Sequence, residues 1–102
     1  MKKNNWGINK YIEKCHTIAK VKGWWDSERN DGELIALMHS ELSEALEAMR
    51  NHGTKEQVAE ELADCCIRIF DYCGARGVDL EKTLLQKIAY NKTRPYRHGK
   101  KF

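Results

Sequence analysis

Two short acidic patterns dominate the chemistry available to this chain of 102 residues: Glu41-Leu42-Ser43-Glu44 and, after sixteen residues, Glu61-Leu62-Ala63-Asp64. On a helix each residue advances about 100° around the axis. With Leu34 as origin, the apolar arc of the first segment spans roughly 0–120°, and Glu41 and Glu44 fall near 340° and 280° by that arithmetic. With Val58 as origin, Glu61 and Asp64 fall near 300° and 240° in the second segment. All four carboxylates therefore border a core when a solvated face would put them opposite it. Two antiparallel neighbouring helices bring them to one place, where they repel by kilocalories per mole even at an effective dielectric of about 20. Unless protonated, such a group needs a cation, and oxygen-only ligands favour Mg²⁺ or Mn²⁺ over zinc. The plainer alternative is a pair of surface charge patches, with Arg68, one turn beyond Asp64, as counter-ion. A di-iron carboxylate bundle expects Glu-x-x-His on two helices; Glu13–His16 is the one instance in the sequence, which argues against that chemistry.

The elements that must position these groups are helical. One proline, Pro95, and few β-branched runs predict helix almost throughout. A first helix over about 8–22 carries Ile8, Tyr11, Ile12, Cys15, Ile18 and Ala19 at helical spacing and stops at Gly23. A second runs from near Asp31 to about Asn51, with Leu34, Ile35, Met38, Leu42, Ala45, Leu46 and Met49 as its stripe and Gly53 as its stop signal. Thr54 and Gln57 form a capping-box pattern that opens a third helix reaching about Arg76, before Gly77. Its apolar positions (Val58, Leu62, Cys65, Cys66, Ile69, Phe70 and Cys73) cover so much of the circumference that it is expected to be central. Asp79 caps a fourth helix with Leu80, Leu84, Leu85 and Ile88 facing inward, ending before Pro95. The fold expected is all-α, an antiparallel four-helix bundle in a single domain spanning 1–102, with residues 95–102 a short basic tail.

Composition narrows the class. A hydrophobic fraction of 41% and a charged fraction of 32% suit a globular chain. No apolar run approaches the length of a membrane span, and the basic start "MKKNNWGINK" is not followed by the apolar core of a signal peptide. Cys15, Cys65, Cys66 and Cys73 form no Cys-x-x-Cys pair and read as reduced thiols of a cytoplasmic protein. The net charge is +3, but no acidic residue follows Glu81, so the C-terminal end should attract anions. The broad apolar girth of the third helix and the small size of the chain point to a homodimer or homotetramer.

The two acidic motifs, taken with "HSELSEALEAMR", "VAEELADCCIRIFDYC" and the closing "KIAYNKTRPYRHGK", resemble the MazG-like all-α nucleoside triphosphate pyrophosphohydrolases over about residues 24–100. The resemblance implies a helical bundle that hydrolyses a ribo- or deoxyribonucleoside triphosphate to the monophosphate and pyrophosphate. It implies that Glu41, Glu44, Glu61 and Asp64 hold Mg²⁺, with one carboxylate left to orient or deprotonate water. Lys87, Asn91 and Arg94 match a Lys-x-x-x-Asn-x-x-Arg pattern whose members contact the phosphate chain. Their spacing places them on one helix face, where ammonium, amide and guanidinium suit phosphate oxygens. Trp24 and Trp25 stand in a polar loop before the second helix, where an indole can stack on a base, Trp25 ahead of Trp24, or one of the pair can plug the core. Ser40 stands where some members carry a further glutamate, which removes one metal-site carboxylate. Phosphoribosyl-ATP pyrophosphohydrolase shares the metal logic and is the enzymatic alternative. The non-enzymatic alternative is a helical dimerisation or nucleic-acid-binding module using the basic C-terminus, although four carboxylates disfavour a polyanion near them.

Overall fold

The computed structural model describes residues 5–102; the first part of the basic start, residues 1–4, lies outside them. Four α-helices and no strand occur among the described residues: α1 (Ile8–Val21), α2 (Asp31–Arg50), α3 (Lys55–Arg76) and α4 (Leu80–Thr93), followed by a 3₁₀ turn over Tyr96–Gly99 in the basic tail. This is the all-α architecture the sequence predicts.

The helix ends follow local chemistry. The Asn30 side chain accepts from the Glu33 amide to open α2. Thr54 and Gln57 complete a reciprocal capping box at the start of α3. Gly77 ends α3 at φ 67°, a left-handed conformation that costs a residue with a Cβ more than it costs glycine. Asp79 accepts from the Lys82 amide to start α4.

Helix α3 is the centre of the packing, with α2 along one side and α1 along the other. Glycine permits the closest approach of α1 to α3: a Cβ on Gly74 would lie 2.6 Å from the His16 Cβ. Tyr11 meets Phe70 across the same interface with ring centroids 6.4 Å apart. The buried apolar core is small, comprising Ile12, Leu34, Ala45, Cys65 and Cys73.

The fourth helix departs from expectation. Asn9 at the start of α1 binds Asp79 through its amide nitrogen at 2.9 Å and receives the Glu81 amide, which fastens the N-terminal end of α4. From Lys82 to Thr93 every residue of α4 is exposed. Leu84, Leu85 and Ile88, expected to face inward, are 42%, 63% and 47% exposed. Ile18, Ile35, Leu42, Leu46, Met49 and Leu62, expected in the core stripes, are also exposed. Periodicity identifies the apolar face of a helix, but among the described residues α4 does not pack along α2 or α3, which leaves these apolar side chains only partly covered. The Cα radius of gyration, 16.2 Å, accordingly exceeds the roughly 13 Å typical of a compact domain this size.

Candidate metal centre

The two acidic motifs meet because α2 and α3 pack side by side. Ligand oxygens of Glu41, Glu61 and Asp64 all lie within 4.8 Å of one another. Glu41 is only 7% exposed, the depth its position at the edge of the α2 stripe foreshadows. One oxygen of Glu41 and one of Glu61 (Oε2 in each) are buried with no hydrogen-bond partner among the described residues. A buried carboxylate oxygen without a donor is costly, and having two of them in one cluster of acidic groups is a cost that a bound cation would relieve. The donor set is wholly oxygen, which suits a hard divalent ion.

Glu44 lies beside this trio and is itself exposed. Its carboxyl is held above the ordinary range chiefly by sharing a proton with Glu61, and then by the negative charge of Glu41. All four carboxylates of the two motifs are thus brought to one neighbourhood. Ser40 turns back on its own helix and donates to the Leu37 carbonyl. The counter-ion assignment differs in detail from the sequence expectation: Arg68 pairs with Glu41 on the neighbouring helix, Nε to Oε1 at 2.8 Å.

The cluster opens on a cavity of about 340 Å³ between α1, α2, α3 and the 22–30 loop. Besides Glu41 and Asp64, its wall includes the cations Lys22, Arg29 and Arg68, the carboxylate Asp71 and the indole of Trp24. Trp24 is 60% exposed, and the Arg29 guanidinium lies 5.8 Å from its ring centre.

Trp25 occupies a different position. Its Nε1–H donates to both oxygens of Asp71, at 2.9 and 3.1 Å. Arg29 and Arg76 lie over its ring, and the His16 imidazole meets it edge-on. His16 Nδ1 also bonds Asp71, at 2.8 Å. Arg76 in turn binds the Arg29 carbonyl and the Asp31 carboxylate. Trp25 therefore pins the loop to α3, and it is not among the residues lining the cavity.

No family model, curated protein or solved structure matches this chain. The functional reading therefore rests on the site itself.

Lys87 and Asn91 lie on α4, but Arg94 falls just past its end as the C-cap, in extended backbone, so the three do not share one helical face as the spacing predicted; none of them lines the cavity. Lys87 and Arg94 instead flank Tyr90, with their charges 5.3 and 5.5 Å from its ring centre. Asp71, Lys22 and Arg29 are site features that the sequence reading passed over. Asp71 falls seven residues after Asp64, on the same side of α3, which was a usable signal. Lys22 and Arg29 join the site through the path of the loop and carry no local signature. No helix among the described residues is long and apolar enough to cross a membrane.

Proposed function

We propose that the protein is a Mg²⁺-dependent nucleotide pyrophosphohydrolase of the MazG-like kind, converting ribo- or deoxyribonucleoside triphosphates to monophosphates and pyrophosphate. The observation that carries this reading is the convergence of Glu41, Glu61 and Asp64 from two helices, with two buried oxygens lacking donors, where Glu41 and Asp64 form part of the wall of a cavity also lined by cations and an exposed indole. Glu41, Glu61 and Asp64 would hold Mg²⁺, or Mn²⁺ in its place. Bound there, the ion supplies charge neutralisation to phosphate oxygens.

The chain's own residues divide the remaining work. Glu44, beside the trio without belonging to it, would orient the attacking water and accept its proton once a metal on Glu61 ends the proton sharing between the two. Trp24 offers a flat apolar face for a base, a role that falls to it since the Trp25 N–H and ring are engaged within the protein. Lys87, Asn91 and Arg94 are proposed to reach phosphate in an assembled form, a homodimer or homotetramer in which α4 of one copy covers apolar faces of another. The exposed Leu42, Leu46, Met49, Leu84, Leu85 and Ile88 support such association. A cytoplasmic location fits a nucleotide substrate and free thiols.

The test is a panel of ribo- and deoxyribonucleoside triphosphates incubated with Mg²⁺ and resolved for monophosphate and pyrophosphate. The reading expects both products in equal amounts, abolished by chelation and by Glu41→Gln. Salt-sensitive binding of DNA or RNA, lost on removing residues 94–102 and unaccompanied by nucleotide turnover, would instead favour the binding module.

A further inference from the structure

Arg68 is the one cation in direct contact with the carboxylate cluster among the described residues. Its bond to Glu41 is made through Nε alone; neither terminal nitrogen of the guanidinium makes a hydrogen bond among the described residues. This is half of what a guanidinium offers a carboxylate, since a fork-to-fork pair uses two parallel bonds. The pair leaves Glu41 Oε2 and Glu61 Oε2 unsatisfied, so a single positive charge stands against three clustered carboxylates. The Arg68 side chain is also a third exposed and forms part of the same cavity wall as Glu41, Asp64, Lys22 and Arg29. Released from Glu41, it would stay tethered to α3 within reach of that cavity.

A divalent cation on the Glu41 carboxylate would both outcompete the guanidinium for its charge and repel it at close range. We propose that Arg68 is a placeholder for the metal: it holds Glu41 while no ion is bound, and passes to phosphate oxygens of the ligand once an ion takes the carboxylate. The exchange keeps Glu41 compensated in both states. It also adds a third cation to Lys22 and Arg29 only when the metal is present, so the phosphate-binding wall is completed by loading of the metal. The second half of the exchange rests on the nucleotide reading above; the first half does not.

The Nε–H resonance of Arg68 reads the exchange directly in ¹⁵N-labelled full-length protein, assigned by its loss in Arg68→Lys. In chelator it should be hydrogen-bonded and slow to exchange with water. Saturating Mg²⁺ alone should release it, with saturation followed on backbone amides of residues 41–64, and imidodiphosphate added afterwards should restore protection at a new shift. A resonance that stays protected at saturating Mg²⁺ overturns the placeholder while leaving the metal site standing. Release by Mg²⁺ without recovery on imidodiphosphate overturns the transfer to phosphate. Amides that ignore millimolar Mg²⁺ and Mn²⁺ overturn the placeholder and the metal site together. Arg68→Gln provides a second reading: Mn²⁺ binding without nucleotide should tighten about tenfold, the scale of losing one charge-assisted competitor, while kcat falls. A purely structural Arg68 would leave Mn²⁺ affinity unchanged or weaken it along with stability.

Discussion

Replacing Glu61 by glutamine should stabilise the metal-free protein and abolish its stabilisation by Mg²⁺, two effects of opposite sign from one substitution. Glu61 has a buried oxygen without a donor, and its ligand oxygen lies within 4.8 Å of those of Glu41 and Asp64. Two unit charges at that separation repel by about 3 kcal/mol at an effective dielectric of about 20. Asp64 is exposed, so solvent screens its share, and Arg68 already offsets part of the Glu41 charge. A net gain of about 1–2 kcal/mol remains for removing the charge, with the glutamine amide now able to donate to a neighbouring carboxylate. For a domain of this size that corresponds to a rise in Tm of about 4–16 °C in chelator. The wild-type protein at Mg²⁺ one hundred times Kd should gain about 2.7 kcal/mol, so the order of the two proteins narrows or reverses when Mg²⁺ is added. Thermal unfolding by circular dichroism, with chelator and with Mg²⁺, measures both effects. Equal Tm values in chelator together with equal responses to Mg²⁺ would refute the reasoning, because the carboxylates would then be independent solvated charges.

Three further outcomes follow from particular contacts. The Glu44 carboxyl is raised above its ordinary value of 4.5, so the folded state binds that proton more tightly than the unfolded chain. Stability contributed by the shift is complete below the ordinary value and is lost as pH rises through the raised one. In chelator, Glu44→Gln should therefore exceed wild type in Tm at pH 7 and match it at pH 4. Gly74→Ala should lower stability by about 1–3 kcal/mol, since overlap with His16 outweighs the better helix propensity of alanine; a denaturant titration that shows stabilisation would mean α1 and α3 do not approach so closely. Burial first of all raises the thiols of Cys15, Cys65 and Cys73, whereas Cys66 is exposed. A disulfide reagent should thus modify Cys66 well ahead of the rest, and peptide mapping identifies the site.

Helix boundaries were legible because their signals are local. The Thr54–Gln57 capping box, the Asp79 cap and Gly77 each act within one turn, and each stands where the sequence pattern puts it. The depth of Glu41 was legible for a related reason, since its angle relative to Leu34 fixes its place at the edge of the stripe once that stripe packs on α3. What was not legible depends on distant segments. The partner of Arg68 lies 27 residues away, and the engagement of Trp25 by Asp71 depends on the 22–30 loop folding back over α3. The exposure of Leu84, Leu85 and Ile88 was hidden for the opposite reason: an apolar stripe states that a face needs cover, without stating which chain provides it.

The central claim, that carboxylates from α2 and α3 jointly hold a divalent cation, is tested most directly by titrating the metal-free protein with Mn²⁺ and following the free-ion electron paramagnetic resonance signal. Saturable binding in wild type, weakened at least about tenfold in both Glu41→Gln and Glu61→Gln as expected for loss of a charged ligand, is the predicted result. Mn²⁺ binding of equal affinity in all three proteins, or none in wild type, would contradict it.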